Sequence, residues 1–365
     1  MVEYTEQDKY WIWMASMPEV TPKAFYYILK QFGCAEAFFD AVEKGSEMPE
    51  AVSEKILSAA KAACSKQYLA EQICQLNAKG IHVVTRLNEN YPTLLRQIAY
   101  PPPVLYVKGS LEHVGSTISI VGTRRCTRQG YDTAKEIAAT LGESGMTVVS
   151  GMARGIDTAA HEGAIKAGGK TVAVLGCGAD VIYPPENEEL YREIIENGAV
   201  ISELNPGTQP LATYFPARNR IVTGMSRGTL IVESEAKGGT AISANMAIAQ
   251  KRDVFAVPGM SRMSELPNNL IKQGAVPITC AEDILAYYGK ITVNSPRNIG
   301  TTGEQSKNQL DFLQSHIYNL LLKGDISVEG IANSSQFAQS EINSTLTIME
   351  MSGLIKRLPG GKYGI

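Results

Sequence analysis

The sequence predicts an α/β protein built on a parallel sheet with helices on both faces, between a helical N-terminal segment and a small C-terminal domain. Three observations predict this class. Between residues 81 and 290, short β-branched runs alternate with helical patterns. Before residue 80, apolar side chains recur at helical spacing, and after residue 307 helical patterns precede two short strands. We therefore expect domains at residues 1–80, 81–290 and 308–365, with a linker at 291–307.

The composition is that of a globular protein with two or three domains. The chain has 365 residues, of which 44% are hydrophobic and 19% charged. The 34 Lys and Arg against 37 Asp and Glu give a net charge of −3, which excludes a uniformly basic coat but not a local basic patch. No apolar run approaches the roughly 18 residues that span a bilayer, and no secretory signal opens the sequence, so we expect a cytoplasmic protein without a membrane partner.

The N-terminal segment is expected to form short helices. Apolar side chains such as Phe25 and Ile28 are spaced as on one helix face. The stretch from Glu54 to Lys79 is predicted as one further helix that stops at Gly80, because glycine favours the left-handed conformation that ends helices.

The middle segment alternates strands and helices. Its predicted strands are Ile81–Thr85, Val104–Val107, Ile118–Val121, Thr147–Ser150, Thr171–Leu175, Val200–Ser202, Thr229–Val232 and Val254–Val257. Its predicted helices are Tyr131–Glu143, Thr158–Ala167, Glu188–Glu196, Pro216–Thr223 and Thr240–Gln250. Strands that are apolar on both faces and separated by helices predict a parallel sheet that is covered on both sides.

The tail follows a polar linker rich in Gly, Ser and Thr. Its predicted elements, in order, are helices at Leu310–Leu322, Ser327–Ala332 and Gln339–Ser352 and strands at Leu354–Leu358 and Lys362–Ile365. Three helices followed by a hairpin is the order of a winged helix.

Glycine-rich loops follow most strands of the middle segment, and several carry arginine. In an open α/β sheet, the loops at the carboxyl ends of parallel strands form the ligand-binding edge. Glycine lets backbone N–H groups approach an anion, and arginine adds a bidentate phosphate donor. Arg124, Arg154, Arg218 and Arg220 therefore predict a phosphate-binding edge, while ordinary tight turns and a solvated helix face remain the alternatives. Phe215 beside these donors either stacks on a base or belongs to the core.

Other motifs are interpreted as structural. Asp157 is expected to cap the helix that carries His161, since the sequence offers no nucleophile for such a pair. Gly168–Thr171 resembles the end of a P-loop but lies between a helix and a strand in the wrong order, and Gly176–Val181 has only part of a dinucleotide fingerprint. Lys170 precedes its strand and is expected at the opposite edge of the sheet. We expect no cofactor and no metal site.

Five motifs together resemble the DNA-processing protein A family, also called Smf. In chain order they are SIVGTRR (119–125), SGMARGIDTAAH (150–161), VLGCGADVIYPPEN (174–187), FPARNRIVTGMS (215–226) and VFAVPG (254–259). The resemblance implies a sterile-alpha-motif-like N-terminal domain, a Rossmann-like middle domain and a C-terminal winged helix.

The resemblance also implies a non-enzymatic function. Such proteins bind and protect single-stranded DNA taken up in natural transformation, help load a RecA-type recombinase, and dimerise through the Rossmann-like domain. With Arg154 from the loop analysis, the residues expected at the DNA are Gly122, Thr123, Arg124, Ser150, Gly151, Arg154, Phe215, Arg218, Asn219, Arg220, Gly239 and Thr240. Arg124 is the first choice for the central phosphate contact.

Two departures from the family pattern concern the flanking domains. Val20-Thr21-Pro22 stands where many members carry a glycine-containing helix–hairpin–helix turn, so direct DNA contact by the N-terminal domain is not expected. The third tail helix has no Lys or Arg, which favours protein docking over major-groove binding, although Lys356, Arg357 and Lys362 would give the wing a phosphate contact.

A second function remains open from the same residues. Gly238-Gly239-Thr240 at a helix start is similar to the phosphate loop of lonely-guy nucleotide phosphoribohydrolases, which would make the protein a nucleotide sensor or hydrolase. The following helix lacks the catalytic carboxylate of that family, and Glu233 and Glu235 precede the loop instead.

Overall fold

The computed structural model describes residues 4–50, 52–112 and 114–289, and within the tail residues 317, 320–321, 326–333, 339–351, 355–358 and 362–364. The chain divides into two compact units, Met1–Ile284 and Leu285–Ile365. The predicted linker at 291–307 and most of the predicted helix Leu310–Leu322 lie outside the described residues; within that helix, residues 317, 320 and 321 are helical.

Five helices open the first unit. They are α1 (Glu6–Ala15), α2 (Pro22–Phe32), α3 (Ala35–Glu43), α4 (Glu54–Ala63) and α5 (Lys66–Ala78). Side-chain caps fix their starts: Thr5 and Asp8 form a reciprocal capping box, and Thr21 caps α2 with Pro22 at its first position. The core between them is aromatic, and the buried Trp13 indole donates to the carbonyl of Ala63 at 3.0 Å.

The prediction of one helix from Glu54 to Lys79 is wrong. The helix stops at Cys64, whose ψ of 74° is non-helical, and α5 restarts after Ser65. The Ser65 hydroxyl accepts the N–H of Tyr68 at 3.0 Å, so a serine that competes for backbone hydrogen bonds supplies a new helix start.

A nine-stranded sheet with helices between its strands forms the rest of the first unit. Its strands are β1 (His82–Thr85), β2 (Val104–Gly109), β3 (Thr117–Val121), β4 (Thr147–Ser150), β5 (Thr171–Val174), β6 (Gly198–Ser202), β7 (Gly228–Ile231), β8 (Asp253–Ala256) and β9 (Val276–Pro277). Its helices are α6 (Arg128–Glu143), α7 (Ile156–Lys166), α8 (Glu188–Asn197), α9 (Tyr214–Gly224), α10 (Gly239–Ala249) and α11 (Glu265–Lys272), with short 3₁₀ turns at Leu95–Gln97, Pro185–Asn187 and Arg262–Ser264. A last helix, α12 (Ala281–Tyr287), contains the boundary between the two units at Ile284.

The strand order is β1-β2-β6-β5-β4-β3-β7-β8-β9. The seven neighbouring strands β6-β5-β4-β3-β7-β8-β9 are all parallel to one another. The prediction of a parallel sheet is therefore confirmed for these strands and wrong for β1 and β2, which pair antiparallel with each other, as β2 does with β6. A parallel pairing needs a crossover, and only a loop with one 3₁₀ turn joins β1 to β2.

Helices cover both faces of the sheet. Alternate residues of β5 show this, since Val172 packs in the cluster with Ile221 of α9 while Ala173 packs with Ile194 of α8. None of the helices in the described ranges is long and apolar enough to cross a bilayer.

The second unit contains the expected winged-helix elements. Its described parts include β10 (Ile326–Ser327), helices at Val328–Asn333 and Gln339–Met351, β11 (Lys356–Leu358) and β12 (Lys362–Gly364). The sheet order β10-β12-β11 is antiparallel and adds a short strand that the sequence analysis missed. Ile342, Leu346 and Met349 bury one face of the long helix.

Candidate nucleic-acid interface

An open cleft of about 720 Å³ lies at the carboxyl ends of the parallel strands. The loops after β3 and β7 and the first turns of α9 and α10 form it. Its lining includes Gly122, Thr123, Arg124, Arg125, Ala153, Asp157, Tyr183, Pro210, Ala212, Phe215, Arg218, Asn219, Glu235, Lys237, Gly238, Gly239, Thr240, Ser243 and Met263. The predicted edge of the sheet therefore carries a groove.

The loop after β3 depends on Gly122. A Cβ at this position would lie 2.5 Å from Cγ1 of Ile156 and 2.9 Å from the carbonyl oxygen of Glu233. The neighbouring N–H of Thr123 donates to that same carbonyl at 2.7 Å. Glycine is required because the strand end packs directly against α7 and the end of β7, which directs Arg124 and Arg125 outward.

The floor of the cleft is organised by Arg218, which is only 5% exposed. Its Nη1 donates to the carbonyl of Gly151 at 2.7 Å and also to the carbonyl of Val174. Burial lowers the pKa of Arg218, whereas neighbouring Asp157 opposes that shift. The guanidinium that the sequence analysis assigned to phosphate binding thus joins the ends of β4 and β5.

Asp157 is the acidic counterpart of this floor. The prediction that it caps its own helix is wrong, because Gly155 is the cap residue and Asp157 lies inside the first turn of α7. Its carboxylate instead accepts the N–H groups of Gly151 at 3.1 Å and Ala153 at 3.4 Å. Burial raises the pKa of Asp157, and Arg218 and the two N–H donors oppose that shift.

The rim of the cleft carries exposed cations. Arg124, Arg125 and Lys237 are exposed, and no carboxylate in the described part of the chain forms an ion pair with them. The guanidinium of Arg124 lies 5.4 Å from the centroid of the Phe215 ring, within cation–π distance. We call Arg124, Arg125 and Lys237 the rim cations.

The half-buried ring of Phe215 is seated against backbone. A Cβ on Gly176 would lie 2.9 Å from its Cδ1, and the Tyr183 ring is 5.4 Å away, centroid to centroid. The glycine after β5 is therefore needed to bring the aromatic side chain to the cleft, where one face of the ring meets Arg124.

The N-terminus of α10 adds donors to the rim. Gly238 caps this helix without a side-chain hydrogen bond, and Gly239 and Thr240 line the cleft. The first N–H groups of any α-helix lack intrahelical acceptors and carry a partial positive charge, so this end favours an anion.

The structure brings together most, but not all, of the predicted residues. Those that line the cleft are Gly122, Thr123, Arg124, Phe215, Arg218, Asn219, Gly239 and Thr240. Gly151 and Arg154 line a small adjoining cavity with Arg124 and Phe215, and Arg154 is ion-paired with Glu186.

Ser150 and Arg220 line neither space. Ser150 is fully buried and donates to the carbonyl of Ile120 at 2.6 Å. Arg220 forms an ion pair with Glu203. Two residues of helix rotate the side chain by about 200°, so Arg218 and Arg220 point in opposite directions from α9.

Arg125 and Lys237 are cleft residues that the sequence analysis did not select. The available signal was position alone: Arg125 directly follows Arg124 in the loop after β3, and Lys237 directly precedes the glycine pair after β7.

The acidic and imidazole groups near the cleft are engaged structurally. Glu233 is 8% exposed and accepts the N–H of Thr127 at 2.8 Å and its hydroxyl at 2.6 Å. Nδ1 of His161 lies 2.6 Å from the Thr171 hydroxyl oxygen, and burial lowers the pKa of this histidine to about 3. Among the described residues, no three His, Cys, Asp or Glu side chains are grouped to hold a metal ion.

Comparison with known proteins identifies the family. The model described as DNA recombination-mediator protein A matches residues 82–289, and the DprA winged helix domain matches residues 302–361. Protein Smf of Synechocystis sp. is 34% identical over 319 residues, which cover 78% of this chain and 80% of that protein.

Two solved structures support this family assignment. The X-ray structure of DNA processing protein A from Streptococcus pneumoniae has a TM-score of 0.66 at 31% identity and covers 78% of this chain and 98% of that one. A structure of DNA processing protein A from Helicobacter pylori, described for its single-stranded DNA binding mode, has a TM-score of 0.53 at 29% identity and covers 58% of this chain and 98% of that one. The chain with the rim cations and the cleft described above is a member of the DprA/Smf family of DNA recombination-mediator proteins.

Proposed function

We propose that the chain binds single-stranded DNA in the cleft and delivers it to a RecA-type recombinase in the cytoplasm, as incoming DNA is processed during natural transformation. The observation that carries the proposal is the convergence of three features on one open groove: exposed cations that form no ion pair with a carboxylate of the described residues, an aromatic ring and a helix N-terminus. The relative from Helicobacter pylori, described for its single-stranded DNA binding mode, supports the choice of ligand.

Each part of the cleft has a proposed task. The rim cations neutralise successive phosphates, and the first N–H groups of α10 bind one phosphate oxygen. Phe215 stacks on an unpaired base, which a duplex does not offer without unstacking. Arg218, with its Nη1 bonded to two carbonyls, holds the floor rather than the phosphate.

The test compares labelled oligo-dT with a duplex by fluorescence anisotropy over a range of salt concentrations. We expect single strands to bind more tightly, with log K falling by about 0.7 per unit log salt for each phosphate neutralised. Arg124→Ala should weaken binding more than tenfold at an unchanged melting temperature.

Arg192→Ala is the matched control. Arg192 is an exposed arginine of α8 that pairs with Glu188 one turn away, and it does not line the cleft, so its loss changes the net charge equally without touching the cleft. Equal binding by wild type and Arg124→Ala would contradict the proposal, as would equal losses in both variants.

The recombinase and a homodimer through the Rossmann-like domain are further parts of the proposal. The family description as a recombination mediator supports the recombinase. Addition of the protein should speed RecA filament formation on DNA precoated with a single-strand-binding protein, and Arg124→Ala should not. Analytical ultracentrifugation at several protein concentrations tests the dimer, and a monomeric mass at every concentration would contradict it.

We further propose that the winged helix docks a protein. Its long helix, Gln339–Met351, contains no Lys or Arg and so offers no cationic face to a major groove. A variant with Lys356 and Lys362 changed to Ala should keep its DNA affinity; a marked loss would assign the wing to DNA instead.

A nucleotide hydrolase is the competing function, favoured by the open N-terminus of α10 at the cleft. The carboxylate it would need is absent from α10, and the Thr127 hydroxyl and N–H occupy both oxygens of Glu233. Release of free base from AMP by the purified chain would support the hydrolase, and no release with DNA binding intact would reject it.

A further inference from the structure

The segment 203–213, between β6 and α9, forms one side of the cleft. It contributes Pro210 and Ala212 to the lining and leads directly into the turn that carries Phe215. It contains no helix or strand, and its backbone is held by turn hydrogen bonds and by the Gly178 N–H, which donates to the Thr208 carbonyl at 2.8 Å. Side chains from other parts of the molecule anchor it further. We call it the wall segment.

The first anchor of the wall segment is Asn205. Its Oδ1 accepts the Tyr106 hydroxyl at 2.6 Å, and its Nδ2 donates to the carbonyl of Ser16 at 2.7 Å. Ser16 ends α1, so this bond uses a carbonyl that the helix leaves without an intrahelical partner. One side chain therefore joins the wall segment to the N-terminal helices and to β2.

The second anchor is Asp180, in the loop after β5. Its Oδ1 accepts the N–H of Gly207 at 2.7 Å, and its Oδ2 accepts Nζ of Lys79, the residue that ends α5, at 2.7 Å. Burial opposes ionisation, but these hydrogen bonds lower the pKa of Asp180 below its ordinary value. The carboxylate thus links the end of a second N-terminal helix to the turn of the wall segment.

The N-terminal helices are themselves tied to the sheet. Oδ1 of Asp8 accepts the Thr85 hydroxyl at 2.6 Å, and the Tyr4 hydroxyl accepts the N–H of Val83 at 2.8 Å. Because α1 is fixed to β1, it acts as a rigid support for Asn205 rather than a loosely attached helix.

We infer that the N-terminal helices act as a brace for the DNA cleft, through Asn205 and Asp180 as positioning residues that do not touch DNA. This inference rests on the proposed single-stranded DNA binding. It assigns the helical segment a function in binding although direct DNA contact by that segment is not expected.

The brace acts through preorganisation. If the wall segment is ordered in only a fraction of the molecules, the apparent affinity is the intrinsic affinity multiplied by that fraction, because ordering must then accompany binding. No phosphate contact is lost when the brace is removed, so the salt dependence of binding stays constant. This separates a positioning residue from a rim cation.

The test uses the full chain with Asn205→Ala, Asp180→Ala and the double variant. We expect oligo-dT affinity to fall by roughly threefold to tenfold in the double variant, at a salt slope equal to that of wild type. Hydrogen exchange of the wall segment should accelerate without DNA, while α10 and the rest of the sheet keep their protection.

Two substitutions of Lys79, to alanine and to arginine, keep the test independent of folding. Its side chain is 45% exposed, so substitution leaves the core intact. Lys79→Ala should reproduce the faster exchange and part of the affinity loss, and Lys79→Arg should restore both.

The outcomes separate the brace from the proposed function. Wild-type affinity in the double variant, or a changed salt slope, overturns the brace while single-stranded DNA binding stands. A wild-type chain that does not bind oligo-dT overturns the proposed function, and unchanged hydrogen exchange of the wall segment overturns the brace regardless of DNA.

Discussion

The rim and the floor of the cleft use the same kind of side chain for opposite purposes. Arg124 on the rim is exposed and lies over the ring of Phe215, whereas Arg218 on the floor is 5% exposed and donates to two backbone carbonyls. A guanidinium whose donors are already used inside the protein has little left for a ligand. The comparison separates the residues that hold the cleft from those that are free to bind.

The largest expected effect is the loss of stability when Arg218, on the floor of the cleft, is replaced. Arg218→Ala leaves two buried carbonyls without this donor and Asp157 without its nearby cation, which should cost roughly 3 kcal/mol. The melting temperature should fall by roughly 5–10 °C, measured by calorimetry. Arg218→Lys should recover little of this, since an ammonium lacks the planar fork. A melting temperature equal to that of wild type would mean that Arg218 belongs with the rim.

The next largest effect concerns the aromatic ring of Phe215. Phe215→Ala should weaken oligo-dT binding by about tenfold, because stacking on an aromatic side chain contributes roughly 1–3 kcal/mol per base. The salt slope should not change, since no charge is removed. Titrations of wild type, Phe215→Ala and Phe215→Tyr distinguish stacking, which tyrosine retains, from simple packing; equal binding by the alanine variant would assign Phe215 to the core.

A smaller effect is expected for a single rim residue that the sequence analysis missed. Lys237→Ala should lower affinity several-fold and reduce the salt slope by about 0.7, with no change in melting temperature. Lys170→Ala is the control, because Lys170 precedes β5, at the amino edge of the sheet. The assignment of Lys237 would be wrong if both variants bound alike.

The smallest effect is a pH dependence of the scaffold. Burial holds the pKa of His161 at about 3 in the folded protein, and Arg218 adds to the shift. A histidine with a lowered folded-state pKa gives stability that is complete above its unfolded pKa of about 6.5 and declines as the pH falls towards 3. His161→Gln should therefore show a smaller drop in melting temperature between pH 7 and pH 5 than wild type. An identical drop would exclude His161 as its source.

The strand–loop pattern could be predicted because it is local. β-Branched runs identified the strands β1 to β8 to within two residues at each end, and the glycine-rich loops after most of them identified the edge where the cleft lies. The antiparallel pairing of β1 and β2 could not be predicted, since pairing direction depends on contacts between residues that are distant in the sequence. The break at Cys64 depended on one serine that competes with the helix.

Among the site residues, the sequence identified the loops but not the direction of each side chain. Arg218 and Arg220 appear equivalent in the motif, yet one faces the strand ends and the other Glu203. Arg125 and Lys237 were missed because a single cation in a loop has no periodic pattern. Exposure and ion pairing, which decide whether a cation is free, exist only in the folded chain.

The most direct test is the salt dependence of oligo-dT binding in a variant with all three rim cations, Arg124, Arg125 and Lys237, changed to alanine. At about 0.7 per phosphate contact, the slope of log K against log salt should fall by roughly 2, while the melting temperature stays that of wild type. An unchanged slope in a folded triple variant would show that cations other than those of the rim hold the DNA, and the proposed role of the rim would be wrong.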